Sequence, residues 1–272
     1  LGIDPSKNVS KLAKEKGIST ITEFFNLKVA KFIAKKYSKA DLFYGANVFN
    51  HADDLINFLK AVKTIIKHNG LIVIEVPDLE SLINNVGFDT IYHEHRNYFS
   101  ENSLHKLFSK QKIKIIKIEK INYMSGSLRL YAQKTHVSLK NKKTRTIGLK
   151  EIIQFEKNIL IVKRKIIEFI YKMKRQNKII AGVGAATKGN TLLNYCNLTS
   201  KHIDFILDRS KLKIGKYTPG SCIKIVDEGR YKNFQALIIL PWNISHYLIK
   251  KFVKKTKKPY ISVQNIVKKL EK

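Results

Sequence analysis

The sequence is poor in several residue types, and each scarcity excludes something. It has two cysteines, Cys196 and Cys222, in 272 residues. They lack C-x-x-C spacing and have no histidine at metal-site spacing, so no zinc site is expected of this chain. Two buried free thiols in a cytoplasmic protein are the simplest reading. No run of about 18 apolar residues occurs, so no membrane-spanning helix is expected. The opening Leu1-Gly2-Ile3-Asp4-Pro5 has neither the basic head nor the apolar run of a signal peptide. It reads like the interior of a domain.

Acidic residues are also scarce, 21 against 52 basic ones, for a net charge of +31. Such a balance raises nucleic acid as a partner. Yet only seven of the basic residues are arginine, the better reader of phosphates and bases. The lysines are spread over every segment instead of gathered on one face. Lys, Ile and Asn, all with A/T-only codons, are abundant together, so base composition accounts for the charge without a partner. Neither nucleic acid nor membrane is expected to be bound. Hydrophobic residues at 44% and aromatics at 10% are those of a globular chain long enough for two modest cores.

The first half alternates strand and helix signals. Leu1–Asp4 reads as the end of a buried strand, residues 8–16 as a short helix stopped by Gly17, and residues 28–36 as a second helix. Residues 41–46 form a short strand. Asp53 and Asp54 open a helix running to about Lys67, and His68-Asn69-Gly70 stops it. Residues 71–76 are a continuous apolar run, as a strand covered on both faces requires. This order predicts a doubly wound parallel sheet. Residues 103–109 read as a helix, and residues 113–118 and 127–132 as an antiparallel pair at the sheet edge. The polar stretch 137–146 is the candidate linker. Apolar residues then recur at helical spacing from about Leu149 to Arg175, which predicts one long amphipathic helix. From Ile179 a second strand–helix series begins: strand 179–183, a glycine loop, a helix from about Asn190 to Tyr195, and strands 203–208, 236–240 and 260–263. The domains expected are therefore 1–136, a linker and long helix over 137–178, and a small α/β domain over 179–272.

Four segments carry chemistry. Asp4 ends a strand, where a carboxylate can accept from both hydroxyls of a ribose, although Pro5-Ser6 also suits a plain turn. Tyr44 to His51 lies between a strand end and a helix, on the crevice side of an open α/β sheet. There Gly45 and Ala46 would let a ligand approach the backbone and Asn47 would offer an amide. Phe88-Asp89-Thr90-Ile91-Tyr92-His93-Glu94-His95-Arg96 places four titratable side chains in a row, which is no core pattern. The two histidines are at i and i+2, not the i and i+4 of a helical zinc site. Proton transfer is the better reading: a near-neutral histidine as base, a carboxylate fixing its tautomer, a tyrosine holding an enolate oxygen or acting as the base. His95 is the first choice for the base and Tyr92 the second, with Glu94 orienting; His93 on an extended segment points the other way. In the second half, Gly182, Gly184, Lys188 and Asn190 follow a strand and open a helix, an arrangement suited to a phosphate. The loop is neither G-x-G-x-x-G nor a Walker loop. Asp208 would meet a ribose and Arg129 a diphosphate.

Gly2-Ile3-Asp4-Pro5-Ser6, Ala46-Asn47-Val48-Phe49, Ile74-Glu75-Val76-Pro77, the Tyr92-His93-Glu94-His95 segment, Gly126-Ser127-Leu128-Arg129 and Gly182–Tyr195 occur in that order. Together they resemble the sugar C-methyltransferases of deoxysugar and surface-polysaccharide biosynthesis, from Leu1 to about Asp227. The resemblance implies S-adenosylmethionine as cofactor and a nucleotide-linked keto-deoxysugar, of the thymidine diphosphate type, as substrate. It implies an incomplete class I methyltransferase (Rossmann-like) domain followed by a second small Rossmann-like α/β domain. The family's N-terminal four-cysteine zinc domain and the glycine-rich first loop of its cofactor domain have no counterpart here, so the chain reads as an N-terminally truncated fragment and zinc belongs only to the region it lacks. Asp4 matches the family's acidic ribose ligand. Met124-Ser125 stands where members often have His-Gly or Asn-Gly. A non-catalytic nucleotide-sugar-binding remnant, and a basic nucleic-acid-binding protein, are the alternative readings.

Overall fold

The computed structural model describes residues 1–123, 126–139, 142, 144–230, 233–253 and 257–270. In chain order the elements are β1 (Gly2–Ile3), α1 (Lys7–Glu15), β2 (Thr20–Ile21), α2 (Leu27–Lys36), β3 (Ala40–Ala46), α3 (Leu55–Ile65), β4 (Ile66–Pro77), α4 (Leu79–Asn84), α5 (Glu101–Lys110), β5 (Ile113–Ile121) and β6 (Ser127–Lys134). There follow α6 (Leu149–Lys174), β7 (Ile180–Val183), α7 (Thr187–Tyr195), β8 (Phe205–Asp208), β9 (Ile225–Asp227), β10 (Ala236–Ile239), α8 (Ser245–Leu248), β11 (Tyr260–Ser262) and α9 (Val263–Leu270). They divide into two compact units, Leu1–Leu79 with Glu94–Thr146, and Glu80–His93 with Ile147–Lys272.

In the first unit β1 pairs in parallel with β2, and a separate four-stranded sheet has the order β3-β4-β6-β5. β3 and β4 are parallel; β6 runs antiparallel to both β4 and β5. The antiparallel edge pair is where it was expected, but the parallel part of this sheet is β3 and β4 alone: β1, expected beside them, pairs instead with β2. Alternation decides its faces. Ile72, Ile74 and Val76 of β4 and Leu128, Leu130 and Ala132 of β6 share one core with Phe58, Leu59 and Val62 of α3 and Leu104 and Phe108 of α5. The opposite face is polar. There Glu75, only 4% exposed, accepts from Arg129 Nε (2.6 Å) and Tyr44 Oη (3.1 Å), and Tyr131 Oη donates to Glu119 (2.9 Å). Asp54 caps α3 by accepting from Asn57 N, which places that helix where its paired aspartates predict. The helix ends at Ile65, earlier than expected, because His68-Asn69-Gly70 is absorbed into β4 through a register shift against β3. A β-carbon on Gly70 would lie 2.6 Å from Ile66 Cγ1, so the glycine is needed for that irregularity and not to stop a helix.

The second unit is a five-stranded parallel sheet of order β11-β10-β7-β8-β9. The strand order reverses between β7 and β10, the switch point of a doubly wound sheet. One core lies beneath α6, whose Val162, Ile166, Ile170 and Met173 pack on β7, β8, β10 and α7 residues. Phe234, Leu237, Leu248 and Phe252 build the core on the other face. The sequence placed residues 80–93 in the first domain. In the structure they cluster with the second unit, because Val86 and Phe88 are buried in the α6 core. α7 begins three residues before the expected Asn190, and the short β2 and β9 were not foreseen.

Both cysteines are free. Cys196 is buried, but Cys222 is exposed, which corrects the expectation of two buried thiols. Cys222 occupies a left-handed position (φ 52°) in a turn closed by Thr218 and Ile223, and a turn tip is solvated. Burial pushes the Cys196 thiol up to about 11. A thiol reagent at about pH 8 should label Cys222 promptly in the native protein and Cys196 only on unfolding; two fast thiols in the native state would contradict this packing.

Candidate functional site

The titratable segment passes from the second unit to the first between His93 and Glu94. Tyr92 and His93 belong to the second unit, with their rings 6.5 Å apart. Asp89, in the same short 3-10 turn as Phe88 and Thr90, is buried, and its carboxylate acts on Lys188 at the start of α7. Burial lowers the Lys188 amine below the ordinary lysine range, and Asp89 partly offsets this.

Glu94 to Asn97 belong to the first unit, where the turn that follows β3 holds them. Asn50 O accepts from Arg96 N (3.1 Å), Asn97 N (3.1 Å) and Asn97 Nδ2 (3.4 Å). Asn97 Nδ2 also donates to Ala52 O (2.8 Å). His51 Nδ1 lies 2.6 Å from Glu94 O, so this nitrogen carries the proton and donates. That leaves Nε2 of a neutral His51 as an acceptor. The His51 and His95 rings meet edge to face with centroids 5.0 Å apart. Arg96 pairs with Asp53 at 2.7 Å, but both groups are well exposed, so this ion pair contributes little. The backbone on either side of His95 is therefore fixed by five hydrogen bonds from one turn. His51 was the residue missed: it ends the Tyr44–His51 string, but nothing in its own neighbourhood marks it as the partner of a residue 44 positions later.

The other expected residues are placed as follows. Asp4 follows β1; its Oδ1 accepts from Ser6 N (2.8 Å) and its backbone oxygen from Ser10 Oγ (3.0 Å), so it also anchors the start of α1. Gly45 and Ala46 end β3. A β-carbon on Gly45 would lie 3.1 Å from Val48 Cγ2, so packing already accounts for much of that glycine. Asn47 is left-handed (φ 52°), and its N–H donates to Glu75 O (2.9 Å). Asn50 is fully buried, and neither polar atom of its amide has a partner, an arrangement that costs free energy unless water or a ligand satisfies it. Arg129 is held by Glu75. Met124-Ser125 lies outside the described residues.

The glycine loop is at the switch point, and the chain's own side chains pack closely against its glycines. A β-carbon on Gly184 (φ 88°) would meet Pro241 Cγ at 2.5 Å; on Gly182, Ile206 Cδ1 at 2.4 Å; on Gly189, Leu240 Cβ at 2.7 Å. The Asp208 carboxylate accepts from Ala185 N and Ser210 N, both at 2.8 Å, and Lys213 Nζ donates to Ala185 O (2.7 Å). These glycines are explained by packing. The N-cap of α7, Ala186, makes no side-chain cap hydrogen bond. Among the described residues no group of three or more His, Cys, Asp or Glu could hold a metal, and no helix is long and apolar enough to cross a membrane.

Residues 123–259 match the model of the C-methyltransferase C-terminal domain, just over half of the chain. The chain belongs to this C-methyltransferase family. Residues 1–117 match a methyltransferase domain. The C-methyltransferase NovU of Streptomyces niveus is 31% identical over 264 residues, covering 92% of this chain and 62% of that protein. The chain thus spans less than two thirds of this C-methyltransferase's length. A methyltransferase from Anabaena variabilis (14% identity, TM-score 0.40, 49% of this chain and 67% of that one) and one from Thermotoga maritima (14%, 0.36, 49% and 73%) are more distant likenesses that bear no weight in the argument.

Two substitutions test this geometry. Asn97→Ala removes the amide that serves Ala52 O and Asn50 O, and should lower unfolding free energy by about 1–3 kcal/mol in urea titration. Gly184→Ala should cost about 1–3 kcal/mol through its left-handed backbone and the clash with Pro241; an unchanged urea midpoint would return that glycine to a ligand-binding role.

Proposed function

We propose that this chain carries the catalytic segment and cofactor-binding residues of an S-adenosylmethionine-dependent enzyme that methylates carbon beside the ketone of a nucleotide-linked deoxysugar. The observation that carries the reading is the clamped segment Glu94–Asn97, which holds His95 against His51 in a chain of the C-methyltransferase family. A carbon beside a ketone is not nucleophilic until it loses a proton, so such an enzyme needs a positioned base near neutral pKa.

The donor set fits the cofactor. Asp4 has a second carboxylate oxygen to offer ribose hydroxyls, and Asn47, in a left-handed turn at the end of β3, has an amide to offer an adenosine. The unsatisfied Asn50 amide is a further polar group awaiting a partner. When bound, S-adenosylmethionine supplies an electrophilic methyl group. The chain's own residues do the rest. His95, in the first unit, is the first candidate to remove the proton from the substrate carbon, and Tyr92, in the second unit, is the second candidate for that role. His51 acts as a positioning residue: with Nδ1–H committed to the Glu94 carbonyl, its ring fixes the segment and borders His95. Glu94 orients the base or binds a sugar hydroxyl. In the second unit Lys188 and Asn190, at the start of α7, are the residues suited to the diphosphate; Arg129, in the first unit, is already paired with Glu75.

In the full-length protein, His95→Ala or Tyr92→Phe should lower turnover by about 10²–10⁴-fold while leaving affinity for S-adenosylhomocysteine within a few-fold. Near-normal turnover of both single variants would remove this segment from the chemistry.

A further inference from the structure

Helix α6 has two apolar stripes, and the fold of its own unit uses one. Val162, Ile166, Ile170 and Met173 are buried in the core. Leu149, Ile153, Leu160, Ile167 and Tyr171 form the second stripe, all within about 40° of one another on a wheel of 3.6 residues per turn and about 125° from the first. Leu149 is 72% exposed, Leu160 55% and Tyr171 54%. A stripe of this length, about 33 Å at 1.5 Å per residue, is more than a scatter of surface leucines.

The stripe is palindromic. Measured from Leu160, its members fall at −11, −7, 0, +7 and +11. A second copy of the helix laid antiparallel across a two-fold axis at Leu160 therefore matches apolar residue to apolar residue along the whole stripe: Leu160 on itself, Ile153 on Ile167, Leu149 on Tyr171. Charge supports the same register. Glu156 and Lys163 flank one edge of the stripe, at −4 and +3, so the two-fold brings Glu156 of each copy beside Lys163 of the other, reciprocally. Lys163 Nζ also lies 4.9 Å from the Tyr195 ring centroid, which holds it near this edge. On the other edge Lys157 and Arg164 carry like charge, moderated by the Arg164–Glu168 contact at 3.6 Å.

We infer that the exposed face of α6 is a homodimer interface, formed by antiparallel pairing of two copies about Leu160. This holds whatever the reaction is. With +31 on each copy, self-repulsion opposes association, so dimerisation strengthens as salt rises, the reverse of nucleic-acid binding.

Sedimentation equilibrium of the whole protein over roughly 1–200 μM in about 0.5 M salt should give a dimer mass, with a weaker dimer at low salt. Leu160→Glu should shift it to monomer with its circular dichroism spectrum unchanged. In a Cys222→Ser background, Leu160→Cys should oxidise to a covalent dimer and Gln154→Cys should not. A monomer throughout that range, a dimer that survives Leu160→Glu, or equal cross-linking at 154 and 160 would each overturn the proposal. The cross-linking arm stands even where Leu160→Glu does not fold.

Discussion

The carbonyl oxygen of Asn50 is the point on which the candidate site depends. It accepts three N–H donors from Arg96 and Asn97. A carbonyl has two lone pairs, so this acceptor is fully used. The consequence is that the turn after β3 and the segment bearing His95 move as one piece. β3 is in turn registered on β4 from Ala40 to Ala46, and β4 is the most deeply buried strand of its unit. The chain of support runs from a packed sheet through one turn to a histidine, and no long flexible side chain lies in between. That is how a loop residue acquires the positional precision that proton transfer demands.

The same turn carries a cost. The Asn50 side chain is buried with its amide unsatisfied, on the residue whose backbone carbonyl does the clamping. Burying an unpaired amide disfavours folding by about 1–3 kcal/mol on mutational scales. Structures retain such a group where strain or a missing ligand explains it. It lies two residues before Ala52, which Asn97 also holds, and three after the left-handed Asn47. The turn between residues 47 and 53 is irregular, while the flanking end of β3 (Leu42–Ala46) and α3 are regular.

Much of the fold was legible because period and punctuation agreed. The 71–76 apolar run, the Asp54 cap and the long 3.6-residue period of α6 all found their elements. Glycines were read through local rules alone: His68-Asn69-Gly70 as a helix stop, which the structure corrects by placing it inside β4, and Gly182–Gly189 as a phosphate loop. What decides both is a distant side chain: Ile66 under Gly70 across a bulge, Pro241 and Leu240 against Gly184 and Gly189. Sequence shows that a glycine is required, not whether the atom it makes room for belongs to a ligand or to the chain. His51 was illegible for a related reason, since its partners Glu94 and His95 are more than forty residues away and meet it only through the Asn50 clamp.

The two sheets illustrate the point further. Both place a turn after a parallel strand, at the edge where doubly wound folds hold ligands, with a glycine in the strand end (Gly45) in one and in the turn (Gly184) in the other. In the second unit the Ala185 N–H is taken by Asp208, so that N–H is spent within the turn and Lys188, farther along, is the group proposed to meet an anion. In the first unit the turn is closed onto the His95 segment instead, leaving Asn47 in a left-handed pose and a buried amide unsatisfied. Similar architecture has been put to opposite use, one turn spent on packing and the other on holding a reactive side chain. Buried polar groups without partners occur at both turns, the Asn50 amide in the first unit and Asn190 Oδ1 in the second, so what separates the two is which segment each turn is bonded to.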